Sequence, residues 1–493
     1  MPYLGVTPAA EFTSKDLNGE QLILDADADT TITADTDDQI DIRIAGADDF
    51  KITANTLTAL SGSTIATNTI AETTGASGVT IDGLLIKDST AAFADGAVGT
   101  PSITNTGDLN TGVYFPAADT VGVVTGGTEQ FRFGSNPIPG GSKNMLINGN
   151  MAVAQRGSLA AQGGTNVYTS LDRWELNDPA GGEARWDFAQ GTSGGVSGKD
   201  TWLSATVETA ESAVGASEIN AIRQKVEGNN ARGLINSSGQ IKASTLSFDV
   251  KFDAHGSSST SAPYAACVFI YAVDANYTFT EEFSIASDNT WERIEISVPA
   301  LAQAASTVDT TEGYRIAFVL YSGATYHATS GSWESGNNAM ATSNQENLAD
   351  YAGNIFGITN VQWEVGSVAT DFAHEDIGTT LLKSKRYYER LHFTVDSDET
   401  AMHGGMHTTT SFRAVWHYAE KRAAPTLDVG TATDFKVVAA TTELAVSGMT
   451  FPDAGPYSCG LFATTASTTL AYPGYLRRGG TAADAWIEAS AEL

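Results

Sequence analysis

The stretch Thr245–Phe252 reads TLSFDVKF, and it puts Leu246, Phe248, Val250 and Phe252 on one side of an extended chain, with Ser247, Asp249 and Lys251 between them. The run that follows, AACVFIYAV (Ala265–Val273), is almost continuously apolar, as a strand buried on both faces would be. RIEISV alternates again through Ile294, Ile296 and Val298. YRIAFVLYSG (Tyr314–Gly323) and ITNVQWEVGS (Ile358–Ser367) complete the set. Strands at such intervals, some covered on one face and some on both, predict a two-sheet sandwich of the jelly-roll type. In the last phrase Val361, Trp363 and Val365 share one face. Gln362 and Glu364 share the other, which is expected to meet water or a neighbouring subunit.

Upstream, GSNPIPGGSK (Gly134–Lys143) packs two prolines and three glycines into ten residues, so a domain boundary is expected there. From Gln21 to Phe133 short β-prone phrases alternate with turn residues: QLILDAD, TTITADTDDQIDIRIAG, DDFKITANTLTALSG, GVTIDGLLIKD, DTVGVVTGG and TEQFRFG. Ile40, Ile42 and Ile44 alternate with Asp41 and Arg43, which gives a narrow aliphatic stripe too poor to make a core from one copy. No proline interrupts the chain between Pro8 and Pro101. Identical chains wrapped about a common axis would bury such stripes together, so an oligomeric β shaft, a trimer first, is expected.

Downstream, TTLLKSKRYYERL (Thr379–Leu391) carries the one helical signal, with Leu382, Arg386 and Tyr387 on one face, Leu381, Tyr388 and Leu391 on another nearby, and Thr379 or Thr380 as cap. SFRAVWHY, TDFKVVA and LAVSGMTF then predict a compact terminal β domain. The expected organisation is mainly β: a tail-attachment segment over 1–20, a shaft with linker over 21–143, a jelly-roll sandwich over 144–378, a connecting helix over 379–391 and a tip domain over 392–493.

The 493 residues carry 27 Lys and Arg against 58 Asp and Glu, a formal net charge of −31, which argues against nucleic acid or anionic membrane as partner. The opening MPYLGVTPAAEFTSKD has neither a charged leader nor an apolar core, so no Sec-type export signal is expected. Cys267 and Cys459 lie far apart beside apolar runs and are expected to be buried thiols.

Several phrases resemble known proteins. NMLINGNMAVAQRG (Asn144–Gly157), YTSLDRWEL (Tyr168–Leu176) and VQWEVGSVATDF (Val361–Phe372) resemble the opening, second and closing phrases of the carbohydrate-binding-module-like sandwich of phage tail fibre proteins. KRYYER (Lys385–Arg390) resembles the Arg-Tyr-Tyr helix that leads into their terminal domain. DLNTGVYFPAADTVGVVTGGTEQFRF (Asp108–Phe133) and the closing AWIEASAEL are similar to modules of marine and cyanobacterial phage fibres. The resemblance implies a virion protein that docks to the phage tail, baseplate or an adaptor through its N-terminal segment and adheres to a host-surface glycan. A polysaccharide-degrading tailspike and a non-adhesive structural appendage or decoration protein are the alternatives.

No GxSxG elbow, HExxH, P-loop or strand-to-helix GxGxxG is present, so no enzyme activity and no cofactor are expected. Nine aspartates fall between Asp25 and Asp49, but without an EF-hand or RTX spacing they are read as solvated turn residues, not calcium ligands. His403 and His407 in HGGMH have zinc-helix spacing, yet Gly404 and Gly405 disfavour a helix, so a loop is expected and no metal. Sugar binding needs an aromatic platform with polar neighbours, for which Trp202, Trp291, Trp333 and Trp416 are candidates. Trp333 with Tyr326 and His327, and Tyr457, Tyr472 and Tyr475 in the tip, are the expected receptor contacts. Asp172, Arg173, Trp174, Gln362, Glu364, Arg386 and Tyr387 are read as structural, with Arg173 pairing Glu364 to fix the first and last strands together.

Overall fold

The computed structural model describes residues 20–67, 93–133 and 144–493, except 199, 257, 305–307, 394–399, 468–471 and 480–484. The expected attachment segment before Glu20, the phrase GVTIDGLLIKD and the linker Gly134–Lys143 lie outside the described residues. The chain divides into two units, Met1–Ala94 and Asp95–Leu493.

In the first unit a five-stranded antiparallel sheet runs in sequence order from Leu22–Ile23 to Thr56–Ala59. Its register lines up Leu22, Ile32, Ile42 and Phe50 in one row, and Ile40, Ile52 and Leu57 in the next. This is the aliphatic face that the alternation predicts. Ile40, Ile44 and Leu57 remain exposed on it, while Asp41 on the reverse side is buried and accepts a hydrogen bond from Gln39 at 2.7 Å.

The second unit opens with a four-stranded meander, Ile103–Asn105, Asp108–Tyr114, Val121–Thr125 and Thr128–Phe133. Ile103, Val113, Val123 and Phe131 form one cross-strand row. Phe131 and Phe133 stay 65% and 64% exposed. The opposite side is closed by Tyr114, whose hydroxyl donates to Glu129, itself held by Arg132 at 2.7 Å.

Two sheets then face each other, one of six strands and one of seven, all antiparallel. Leu246, Phe248, Val250 and Phe252 point between them with Trp174, Trp186 and Trp363, as the alternation in TLSFDVKF requires. Phe248 meets Phe318 across the sandwich, ring centroids 4.8 Å apart and nearly perpendicular, a favourable edge-to-face arrangement. The closing strand Ile355–Val365 lies inside the six-stranded sheet, between Trp202–Thr209 and Ser244–Asp253. Ser247 pairs with Gln362 but Asp249 with Thr359, so one extra residue is accommodated at Asn360–Val361. Asn360 takes φ 50°, a left-handed conformation that Asn tolerates better than most residues.

Past this bulge the segment Asn144–Gly149 takes the edge of the closing strand. Gly149 accepts from the Val361 amide at 2.9 Å, and Met145 donates to the Trp363 carbonyl. The Asn144 side chain donates to the Val361 carbonyl at 2.8 Å and accepts from the Trp363 amide at 3.0 Å, imitating a strand residue. Gln224 of the facing sheet clamps Ile147 by both main-chain groups, and Trp174 donates to the Asn148 carbonyl. The NMLING and DRW phrases are thereby one folded unit.

The helix spans Ile377–Lys385, capped by Asp376, whose carboxylate accepts from the Gly378 and Thr379 amides. It ends before Leu391, and the cap is neither Thr379 nor Thr380. Tyr388–Phe393 is a strand that pairs with Ala485–Ser490, because that ladder and the burial of both tyrosines outweigh the local helical preference. The rest of the terminal domain is a closed six-stranded barrel sharing its core with the three-stranded sheet of Tyr388–Phe393, Ala485–Ser490 and Thr426–Val429. HGGMH lies in the barrel strand Thr400–Thr408 and not in a loop, because a Cβ at position 404 would sit 2.1 Å from the Arg413 carbonyl oxygen and only glycine permits the close pairing. Cys267 and Cys459 are buried free thiols.

The last strand delivers Glu492 and Leu493 to the sandwich. Arg173, fully buried, pairs with Glu492 and donates to the Lys225 carbonyl at 2.6 Å, and its guanidinium lies 3.7 Å from the Tyr387 ring centre. Its ionic partner is therefore Glu492 and not Glu364, since the DRW turn faces the terminal domain. Arg156 reaches Glu492 at 3.2 Å and stacks on Tyr388 at 3.4 Å, and Asp172 accepts from the Gln155 amide. Lys225 donates to the Leu493 carbonyl at 2.7 Å. Glu227 receives Arg386 at 2.7 Å and the Tyr387 hydroxyl at 2.6 Å.

Burial works to raise the Glu227 pKa, but the hydrogen bonds from Arg386 and Tyr387 outweigh it and hold the carboxyl below its usual range. Such a group stabilises the fold above its unfolded value of about 4.3 and loses that contribution as pH falls through the lower folded value. Urea unfolding between pH 7 and pH 3.5 is therefore expected to show a steeper loss of stability for the natural chain than for Glu227→Gln. Parallel curves would show that this junction does not titrate as described.

Candidate functional site

The outer face of the six-stranded sheet gathers the side chains suited to a ligand. Trp202 pairs in register with Gly191, and Ser204 on the same strand pairs with Gly357 of the closing strand. A Cβ at Gly191 would lie 2.1 Å from the Trp202 ring, and one at Gly357 would meet Lys251 and Trp202 at 2.9 and 3.1 Å. Two glycines on flanking strands thus make a slot in which the Trp202 indole lies flat. Its N–H donates to the Ser193 carbonyl at 2.9 Å, and its edge meets the half-buried Trp291 with ring centres 5.6 Å apart. The Trp291 N–H donates to the Gly194 carbonyl, fixing that ring as well.

The Lys251 ammonium stands 4.5 Å from the Trp202 ring centre and 5.4 Å from that of Trp291, and donates to Asn289. In the next row Asp249 faces Arg293 across the strands, 3.8 Å between charged atoms, and accepts from the Asn360 amide at 2.7 Å. Arg293 also donates to the Ser247 hydroxyl and the Asn360 carbonyl. Burial raises the Asp249 pKa and lowers that of Lys251. The Asn360 side-chain oxygen, 9% exposed as a residue, is left without a partner among the described residues. The bulge is what turns this amide onto the outer face. The result is the half-buried Trp291 ring, backed by the buried Trp202, beside a hydrogen-bonding floor in which Asp249 offsets Arg293, an arrangement for an amphipathic ligand.

Gln362 and Glu364 lie on the same outer face but are buried, which corrects the expectation that they meet water or another subunit. Gln362 accepts from the Ala373 amide at 2.8 Å, and Glu364 accepts from the Thr370 amide at 2.9 Å. Together they hold the segment Thr370–Ala373 across the sheet, where it walls one side of the face.

The other expected contacts are dispersed. Trp333 sits on the edge strand Ser332–Ser335, tilted against Phe279, and spends its N–H on the Pro299 carbonyl at 2.8 Å. Tyr326 belongs to a 3-10 turn and donates to the Ser217 carbonyl, with exposed His327 just after it. Tyr457 is exposed and donates to Glu420, Tyr472 is exposed, and Tyr475 lies beside His403 on the barrel. Trp416 is in the barrel core. Lys251, Asp249, Arg293 and Asn360 were not legible as site residues. The parity break in ITNVQW, where the apolar set passes from Ile358 to Val361 across Thr359 and Asn360, is their one sequence signal. Elsewhere, in the first unit, the carboxylates of Asp25, Asp27 and Asp29 approach within 4.8 Å of one another.

No protein-family model matches the chain, and no curated protein matches it as a relative. Among solved structures, it is distantly similar to the carbohydrate-binding module TmCBM61 in complex with β-1,4-galactotriose, at 10% identity and a TM-score of 0.22 over 46% of this chain and 100% of that one. It is also similar to the crystal structure of Cucumber Necrosis Virus, at 14% identity and a TM-score of 0.14 over 72% of this chain and 95% of that one. Likenesses at these scores assign no fold and no ligand.

If the glycine slot fixes Trp202, Gly357→Ala is expected to displace the indole and cost about 1–3 kcal/mol, as overpacking does. Near-UV circular dichroism should change and the urea midpoint should fall. A variant with an unaltered aromatic spectrum would show that the ring does not depend on the slot.

Proposed function

We propose that this chain is a phage tail fibre component that adheres to a host-surface glycan through the outer face of its sandwich, binding without cleaving. The observation that carries the reading is the Trp202–Trp291 pair beside the floor of Asp249, Asn360 and Arg293. A pyranose has an apolar face for an indole and a rim of hydroxyls that both donate and accept. The net charge of −31 favours a neutral or cationic target over nucleic acid. The tail assignment rests on the order of the NMLINGNM, DRW, VQWEVG and RYYER phrases in the chain.

Homo-oligomerisation, with a trimer favoured, belongs to the same reading. The exposed apolar rows of the two N-terminal sheets would be removed from water by other copies, and several weak sites on one oligomer give avidity without a strong single pocket. The segment before Glu20 would attach the fibre to the tail, baseplate or an adaptor.

Two measurements test this. In light scattering of the full chain at dilute concentration, a mass of three times 51.6 kDa is expected, and a stable monomer would remove the shared-shaft argument. On immobilised bacterial surface polysaccharides, Trp291→Ala is expected to weaken binding by about tenfold or more, the scale of one lost aromatic anchor, while the variant still unfolds cooperatively. Release of reducing ends from the polysaccharide would instead identify a degrading tailspike. Virion incorporation without any polysaccharide binding would identify a non-adhesive appendage.

A further inference from the structure

A cavity of about 200 Å3 lies between Asn144–Asn150, the segment Phe372–Glu375 and Thr380 of the helix. The chain that walls the sheet face also walls this cavity, since Ala373 is tied to Gln362. The two are joined at Thr201, next to Trp202: its hydroxyl donates to the Asn150 carbonyl at 2.7 Å, and its carbonyl accepts from Thr359 of the sheet at 2.7 Å.

The lining divides into groups already engaged and groups left open. Asn148 gives its amide to the Val153 and Asp172 carbonyls and its oxygen to the Val153 amide, so it is a fixed wall. Glu375 is paired with Lys383 and accepts from Thr380, so its charge is already engaged. The side chains of Asn150 and His374 hold no hydrogen bond among the described residues. Phe372 offers a ring, edge-on to His374 with centres 5.1 Å apart. One aromatic face, one amide that donates and accepts, one imidazole and spare carboxylate lone pairs are complementary to a pyranose and its hydroxyls.

Size sets the number of sugars. At about 30 Å3 per water, the space equals roughly six or seven waters, one pyranose, and falls short of the roughly 300 Å3 at which larger ligand pockets begin.

We infer that this cavity is a subsite for a single terminal pyranose, and that the glycan continues from it over Thr201 onto the Trp202–Trp291 face. The inference rests on the glycan reading and adds to it that the protein recognises chain ends. Asn150 and His374 bind the terminal hydroxyls, and Phe372 packs against the ring.

The test uses the full chain with free glucose, galactose, mannose, rhamnose and N-acetylglucosamine in saturation-transfer NMR, and bacterial surface polysaccharides in parallel. Ala373→Phe fills the cavity and His374→Ala removes one exposed polar group, with melting temperature as the control for folding. At least one monosaccharide is expected to give a signal that both variants lose. Polysaccharide affinity should fall by about tenfold in each, the scale of one good polar contact. If Ala373→Phe does not fold, His374→Ala decides alone. Polysaccharide binding that the folded variants keep in full, or that occurs with no monosaccharide signal, overturns the subsite and leaves the sheet-face reading standing. Absence of any polysaccharide binding by the natural chain overturns both.

Discussion

The register of the closing strand Ile355–Val365 governs the sandwich and its outer face together. Phe356 and Ile358 enter the core from even positions, whereas Val361 and Trp363 enter from odd ones. Side chains of a strand alternate strictly, so both sets can face inward only if one residue is inserted between them. The bulge at Asn360–Val361 is that insertion. It frees the Val361 amide for Gly149, which docks the opening segment, and it turns the Asn360 side chain toward Asp249. A single irregularity thereby closes the core, seats the chain entry and furnishes the floor of the candidate site.

A second constraint joins the sandwich to the terminal domain. Arg156, Arg173, Glu227 and Glu492 meet there with Tyr387 and Tyr388, almost wholly out of water. Desolvation offsets most of the Coulomb attraction in such sites, so their net contribution to stability is small. Their directional demands are large, because any unpaired member is left buried with its charge. Aromatic stacking on both arginines narrows the permitted geometry further. The network therefore fixes the orientation of the two domains more than it holds them together.

The two N-terminal sheets present the opposite case. Each has an apolar row open on one side, and each occurs beside turns rich in Asp and Gly that keep the edges from extending. Apolar rows of this kind are costly to leave in water, which is the physical basis for proposing that copies bury them together. The candidate glycan face lies on the sandwich, in the same unit as the meander and the terminal barrel.

The sequence by itself determined the mainly β class, the two-sheet sandwich and the strands of the terminal domain, because alternation of large apolar residues is a local property that survives in any context. It also marked Trp202 and Trp291 as platform candidates by residue type. It misplaced the end of the helix, since Tyr388 and Leu391 satisfy a helical period but pair with Ala485–Ser490, nearly a hundred residues away. It paired Arg173 with Glu364, where only the folded chain could bring Glu492 to that guanidinium. It named Trp333 as a receptor contact and Trp291 only as a candidate, and what each indole meets was not legible in it: Lys251 and a polar floor for Trp291, Phe279 and an edge strand for Trp333. The tertiary structure decided these points, since long-range pairing, and not local periodicity, sets which polar groups converge.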